Sequence, residues 1–474
     1  MNMFRTENAD VLGRNTGNQS LTDLVRENVG SNVLRCYHCV KCTSGCPLAD
    51  QFDLTPNQVM RCVQFDDNRV LASKAIWLCA SCHTCATRCP QEIDVTGVMD
   101  ALRIESKRRG VPPGIPEISK FNDLFMLIVK LFGRVYEVGL MAAFNMALRK
   151  PFRDAKLGAR MFRRGKLKLL PHFARGRGDD AVAEPGSRAV GYFPGCSLSC
   201  SAAEYGSSVE SVAEAMDLEL VEPKGWVCCG SSPAHATDPV QAKVLPMRTI
   251  AAVEKMGLDT VTSPCSACFS RLKTAEQAVR QGGKVEKQVG AAIGYDYKGT
   301  VEVRHLLEII VDRIGIDDVI ARVEKPLSGL KVACYYGCLI TRPTKVTGAD
   351  NAEYPVKMDR LLKALGAETV EWSGKTDCCG GSLGIAKPET AAKLMRRIME
   401  NARGCGAEAI VTMCPICHLN LDSRQTEMGF EQEMPIFQAT QLMALAFGLG
   451  PEKAALRHNL VDPQPYLRRK GVLS

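Results

Sequence analysis

Two stretches, CYHCVKCTSGCP (residues 36–47) and CASCHTCATRCP (79–90), repeat the spacing C-x2-C-x2-C-x3-C-P. Thiolates are soft ligands that favour iron–sulfur clusters or zinc. Three cysteines at x2 intervals wrap one face of a cubane, and the proline turns the chain away after the fourth. This is the bacterial ferredoxin run, in which the fourth cysteine of each run ligates the other cluster. The first [4Fe–4S] cubane is therefore expected on Cys36, Cys39, Cys42 and Cys89, and the second on Cys79, Cys82, Cys85 and Cys46. Structural zinc favours two CxxC pairs instead. Crossed ligation keeps the two clusters within electron-hopping reach, so the unit reads as a wire.

A second kind of constellation surrounds WVCCGSS (226–232) and KTDCCGG (375–381). Adjacent cysteines rarely pair with each other, because the disulfide strains the peptide between them. Each pair belongs to a set of five: Cys196, Cys228, Cys229, Cys265 and Cys268, then Cys338, Cys378, Cys379, Cys414 and Cys417. Five thiolates are one more than a cubane needs. Two adjacent ones suit bridging between neighbouring irons better than one tetrahedral zinc. Cys334 competes with Cys338 for the first position of the second set, and YYGC aligns with FPGC at Cys196, which favours Cys338. Gly230 and Gly380 are expected to let the backbone approach the metal. Cys62, Cys200, Cys334 and Cys405 read as buried structural thiols. His235 and His418 read as supporting residues near the ligands, with proton donation to a product thiolate as the sharper alternative. Lys224 and Lys375 read as solvated, with positive charge near a cluster as the alternative.

The elements that must hold these cysteines follow from periodicity. Between its clusters the first territory reads as helix, in LTPNQVMRCVQF and DDNRVLASKAIWL, and Ser20 with Asp23 opens a helix in LTDLVREN. The second territory is an internal repeat: the double cysteines recur 150 positions apart and the CxxC openings 149. Each copy alternates strand and helix as βαβαβ, which implies a parallel sheet with helices on its faces. Every cysteine motif there follows a predicted strand, and the carboxyl ends of such strands form the ligand crevice. The expected fold class is α/β plus α, an N-terminal all-α ferredoxin-like domain with two cubanes followed by two βαβαβ domains. The boundaries read as 1–110, then 111–187 for apolar helices and a basic arm, then 188–328 and 329–474.

Composition narrows the setting. Twenty-two cysteines without a secretory leader in MNMFRTENADVLGRNTGNQS point to a reducing, cytoplasmic compartment. No uncharged apolar run reaches membrane-span length. The nearest, 121–148, is interrupted by Asp123, Lys130, Arg134 and Glu137, and reads as one or two buried or partner-facing helices. Residues 149–177 hold eleven Lys/Arg and one acid, against a net charge of +8 for the whole chain. This arm reads as a solvated linker, or as a docking segment for an acidic partner or an anionic membrane surface. Sparse aromatics argue against nucleic acid. No GxGxxG follows a predicted strand, so no flavin or nucleotide site is expected.

The paired CCG motifs resemble the CCG-domain proteins, specifically the B subunit of heterodisulfide reductase, over residues 188–445. Residues 20–150 resemble the C subunit of the same enzyme, so the chain is similar to a C–B fusion. The resemblance implies a noncubane [4Fe–4S] cluster on each five-cysteine set, and hence four clusters in all. It implies reduction of a disulfide of CoB–CoM heterodisulfide type, clamped between the noncubane clusters and split into two thiols. Electrons would come from a flavin-containing partner like the A subunit of heterodisulfide reductase, with a hydrogenase, formate dehydrogenase or other reductase module behind it. Similar subunits of glycolate- or lactate-oxidising dehydrogenases only pass electrons on. The alternative expectation is therefore a conduit to quinone, ferredoxin or another low-potential acceptor.

Overall fold

Ser20 opens the first helix, its side chain accepting from the Asp23 amide. Thr55 and Gln58 close a reciprocal capping box at the next long one. The computed structural model describes residues 19–171, 173, 174, 186 and 188–473. Labelling the longer helices in order, the N-terminal region holds α1 (Leu21–Val29), α2 (Pro56–Gln64), α3 (Val95–Arg108), α4 (Pro116–Phe132), α5 (Glu137–Ala147) and α6 (Ala155–Arg163). Among the described residues, 19–171 contain no strand. DDNRVLASKAIWL is not one helix: a 3-10 turn over Asn68–Ala72 stops at Ser73, which starts a separate helix, Lys74–Leu78. Ser73 and Asp53 accept the first amides of that helix and so favour a fresh start over continuation.

Copy one comprises β1 (Ala189–Tyr192), α7 (Ala203–Ala215), β2 (Glu219–Val221), α8 (Gln241–Lys255), β3 (Thr260–Ser263), α9 (Ser266–Arg280) and β4 (Glu302–His305). Copy two comprises β5 (Lys331–Tyr335), α10 (Lys357–Ala364), β6 (Glu368–Thr369), α11 (Pro388–Gly404), β7 (Ala409–Thr412), α12 (Pro415–Ser423) and β8 (Ile436–Gln438). Each sheet is fully parallel, in the orders β2-β1-β3-β4 and β6-β5-β7-β8. The mixed α/β class holds, and each copy adds a fourth strand that the βαβαβ reading lacks. In both sheets the order reverses between the first and third strands, the position at which open α/β sheets bind ligands. Strands β1, β3, β7 and β8 are buried throughout their length, as parallel strands covered on both faces must be.

The core does not stop at the boundaries of the repeat. One buried cluster joins α1 to α4 with α11 and the helix Leu383–Ala386 of copy two. Another runs from Val190 and Tyr192 of copy one through Val332 and Val411 of copy two. Ser208 and Thr440 hydrogen-bond at 2.7 Å across that seam.

The basic arm is not a solvated linker. Its described part, up to 171 and again at 173–174, packs down onto both copies, and residues 175–177 lie outside the described residues. Arg153 donates to the Ile385 carbonyl at 3.1 Å, Arg164 to the Arg457 carbonyl at 2.9 Å, and Arg160 to the Ser423 carbonyl. Asp154 receives Arg424 at 3.0 Å. Lys166 is buried in an ion pair with Glu204. Removing one partner of a buried pair strands the other charge. Lys166→Ala is accordingly expected to destabilise the fold by about 3–5 kcal/mol, read as a fall in the thermal midpoint. The double change K166M/E204L should recover most of that loss.

Candidate metal centre

The two ferredoxin-type runs fold alike. In each, the residue before the second cysteine and the residue after it are left-handed: His38 (φ 58°) and Val40 (φ 65°), then Ser81 (φ 51°) and His83 (φ 57°). A left-handed β-branched valine is a costly conformation that persists only where the surroundings demand it. Alternation of right- and left-handed backbone turns successive amides into an anion-binding concavity of the kind found at iron–sulfur sites. Cys46 leaves its own run to line a small cavity with Cys79, Cys82 and Cys85. Cys89 reaches the other side, where Tyr37 feels the charges of Cys39, Cys89 and Cys36. Cys46 thus lies among the thiols of the second run, and Cys89 near those of the first.

The ten cysteines of the CCG sets line one cavity of about 460 Å³. Cys196 sits in the short helix Gly195–Leu198 after β1 and Cys338 on the loop after β5, and Cys265 and Cys414 cap α9 and α12 after β3 and β7. The double cysteines follow β2 and β6. Within each copy the second cysteine of the pair approaches the CxxC: Cys229 Sγ lies 3.4 Å from Cys268 Sγ, and Cys379 Sγ 3.6 Å from Cys417 Sγ. The first cysteine of each pair interacts with the leading cysteine, Cys228 with Cys196 and Cys378 with Cys338. Two further contacts join the sets. Cys265 meets Cys414 between the copies, and Cys82 meets Cys378 between the ferredoxin-type run and copy two. Thiols therefore form a continuous path from the N-terminal region through copy two to copy one.

Glycine serves this site differently from expectation. Gly230 and Gly380 are left-handed (φ 83° and 92°), and a Cβ there would strike Ala234 and Ala391 rather than the cavity. Their amides donate to Cys228 Sγ and Cys378 Sγ at 3.4 Å. The close approach belongs to Gly195 and Gly337, where a Cβ would lie 2.8 Å from Cys268 Sγ and 3.0 Å from Cys417 Sγ. Clusters fit this donor set. Cys46, Cys79, Cys82 and Cys85 line one small cavity and the ten CCG cysteines another, and beside the ferredoxin-type thiols the buried Ser81 hydroxyl and both His83 ring nitrogens find no partner among the described residues.

Other sequence-chosen residues fall elsewhere. Cys334 is fully buried on β5 and does not line the cavity; its carbonyl accepts from Trp372 at 3.1 Å. Cys200 is buried, but Cys62 is half-buried and Cys405 exposed, so those two are not core thiols. His235 pairs with Asp100 of α3 at 2.6 Å, and His418 bonds the Ile436 carbonyl at 3.0 Å. Neither faces the cavity, and burial holds His418 down at about 3, where it has no proton to give at neutral pH. Lys375 is not solvated: it is buried on Asp359 at 2.9 Å, and its carbonyl receives the amides of Tyr336 and Gly337 that lead into Cys338. Lys224 is exposed.

Sequence reasoning missed the roof. The turn between α4 and α5 closes over copy one, with Val135 N–H donating to Cys196 Sγ at 3.3 Å and Gly133 O accepting from Cys228 N at 2.8 Å. Phe121, Phe125, Val138, Leu140, Met141 and Glu137 of α4 and α5 face the thiols, as do Leu157 and Met161 of α6. It missed an asymmetry as well. Asn420 donates to Cys379 Sγ at 3.4 Å, whereas the matching position in copy one is Arg271, half-buried near Cys229 and Asp100.

A helical region with two ferredoxin-type cysteine runs, joined to two cysteine-rich parallel domains, defines a class, the electron-transferring iron–sulfur oxidoreductase subunit. The family descriptions that match are "Cysteine-rich domain" (CCG) at residues 190–273 and 332–422, and "4Fe-4S dicluster domain" at 35–94. The 8-methylmenaquinol:fumarate reductase membrane anchor subunit of Wolinella succinogenes is 34% identical over 57% of this chain and 96% of its own length. The B subunit of the ferredoxin/F(420)H(2)-dependent CoB-CoM heterodisulfide reductase of Methanosarcina acetivorans is 29% identical over 54% of this chain and 87% of its own. The C subunit of the ferredoxin:CoB-CoM heterodisulfide reductase of Methanosarcina mazei is 36% identical over 22% of this chain and 62% of its own. The chain belongs to the CCG iron–sulfur proteins of heterodisulfide reductase B and C type. Among the described residues no helix is long and apolar enough to cross a membrane.

The crossing is directly testable. Cys46→Ser is expected to abolish the paramagnetic signal of the cluster on Cys79, Cys82 and Cys85 and to leave that of its neighbour. Loss of the neighbour's signal instead would mean that each run binds its own cluster.

Proposed function

We propose that the chain carries electrons from a flavoprotein partner, of the kind that forms the A subunit of heterodisulfide reductase, to a disulfide held between its two CCG sets. Cys36, Cys39, Cys42 and Cys89 would hold one cubane [4Fe–4S] cluster, and Cys79, Cys82, Cys85 and Cys46 the other. Cys196, Cys228, Cys229, Cys265 and Cys268 would hold one noncubane cluster, and Cys338, Cys378, Cys379, Cys414 and Cys417 the second. These groups supply one-electron redox chemistry, and the chain's residues supply position and exclude water. The observation that carries the reading is that both five-thiol sets line a single cavity. A substrate bond lying there is reachable from both sides, as two-electron cleavage of a disulfide requires. The sets of residues also support the division at 1–110, 111–187, 188–328 and 329–474 as functional units on a shared core.

A second reading, a conduit to quinone, is favoured by the cavity's apolar roof and by the relative named as a menaquinol:fumarate reductase anchor. Most of its charged lining is self-contained, since Arg424 pairs with Asp154 and Glu427 and Arg153 lies 3.9 Å from Asp154, which leaves Glu137. Peripheral attachment to a membrane fits the same region. Leu127, Leu131, Met146, Phe152, Phe162, Leu169, Leu170 and Phe173 are exposed there, among the arginines and lysines of the arm. An apolar face ringed by basic residues is how interfacial segments bind anionic lipid.

Iron analysis is expected to give about 16 Fe per chain, from four [4Fe–4S] clusters; about 8 would remove the noncubane pair. The reduced protein should cleave disulfides, and Cys379→Ala should abolish this while sparing the cubane signals. Disulfide-inactive protein that reduces menaquinone analogues would establish the conduit. The chain should sediment with anionic but not zwitterionic vesicles, and F152S/L170S should weaken that binding.

A further inference from the structure

We propose that Glu137 is the proton-delivering residue of the shared cavity, handing its proton to the substrate atom that becomes negative when the bond breaks. The proposal rests on the reading that substrate is reduced in this cavity.

Glu137 is the first residue of α5 and lines the cavity together with Cys196, Cys228 and Ser201. The other charged side chains of the lining, Arg153, Asp154 and Arg424, are tied to one another. Tyr336, also in the lining, gives its hydroxyl hydrogen to Asp359 at 2.7 Å. Among the described residues Glu137 is thus the carboxyl of the lining without an ion-pair partner. Ser201 Oγ donates to Glu137 Oε1 at 2.9 Å, and the Ser201 backbone amide also bonds the carboxyl. The Cys200 thiol also hydrogen-bonds the carboxyl, and burial and the adjacent Glu137 keep that thiol neutral, its pKa raised to about 12. Lys168 stands near Cys200, and Lys166, whose charge reaches Glu137, is committed to Glu204.

Burial raises the Glu137 carboxyl to about 7, even though the start of a helix favours the ionised form. Below that value it carries a proton, and as pH rises through it the proton is lost. A general acid works best with its pKa near the operating pH. The step balances as one disulfide plus two electrons plus one proton giving one thiol and one thiolate. The electrons come from the reduced flavin of the partner, the S–S bond breaks, and Glu137 becomes a carboxylate that water reprotonates. This gives a function to Ser201 and to Cys200, the spare thiol of the set, as holders of the carboxyl.

The test compares wild type, E137Q and E137D, each loaded with clusters. Wild-type turnover is expected to fall as pH rises through about 7. E137Q should lose about a hundredfold or more of the rate and flatten that profile, with E137D recovering part of the rate. Cluster potentials and signals should be unchanged in all three. Independently of turnover, infrared pH titration should show a protonated-carboxyl C=O band with a midpoint near 7 that is absent from E137Q. A carboxyl that ionises in the ordinary range, or an E137Q enzyme with the wild-type rate and profile, would overturn the proposal. Quinone reduction sensitive to E137Q, with no disulfide cleavage in wild type, would overturn the disulfide reading and leave Glu137 in its role.

Discussion

Ten thiols can share one cavity only because two parallel sheets turn the carboxyl ends of their central strands toward each other. In each sheet the chain leaves β1 or β5 in one direction and β3 or β7 in the other. The loops at that reversal carry the leading cysteine and the CxxC, and the double cysteine folds in from the edge strand. The seam that buries Val190, Val332 and Val411 holds the two reversals in register, so that Cys265 and Cys414 touch. Hydrophobic burial along that seam therefore sets the separation of the redox groups. A slip at the seam would pull the two thiol sets apart before it harmed either sheet.

The segment between the dicluster region and copy one does a different job. It supplies no thiol, yet it roofs the cavity with apolar side chains and contributes the carboxyl that, among the described residues of the lining, has no ion-pair partner. Its outer side carries exposed leucines and phenylalanines among basic residues, while its inner side is pinned by arginines on backbone carbonyls. The same stretch thus closes the site and presents a face to the surroundings.

Much of this was legible in advance. Cysteine spacing reflects ligand geometry, so the ten cysteines that line the cavity could be picked out by eye, and the preference for Cys338 over Cys334 agrees with where each thiol lies. The fourth strands, EVRH and IFQ, were not legible, because strands of four and three residues carry too little periodicity. The arm misled for another reason. Long basic side chains read as solvated, and the acceptors that hold Arg153, Arg160 and Arg164 are main-chain carbonyls distant in sequence. Glu137 looked like a mere interruption of an apolar run, since nothing local announces Ser201 and Cys200 as its neighbours. The glycines were half legible: Gly230 and Gly380 matter, but for a left-handed turn against a helix rather than for room at the metal.

The N-terminal Cys82 meets Cys378 of copy two, whereas the main partners of Cys228, its counterpart in copy one, are Cys196 and Cys229. Copy one is reached through Cys414 and Cys265. On the proposed reading, in the language of circuits, the two CCG domains would be connected in series rather than in parallel. Their near-identical cysteine patterns would then conceal unequal positions, a relay and a terminus, with Asn420 beside the one and Arg271 beside the other.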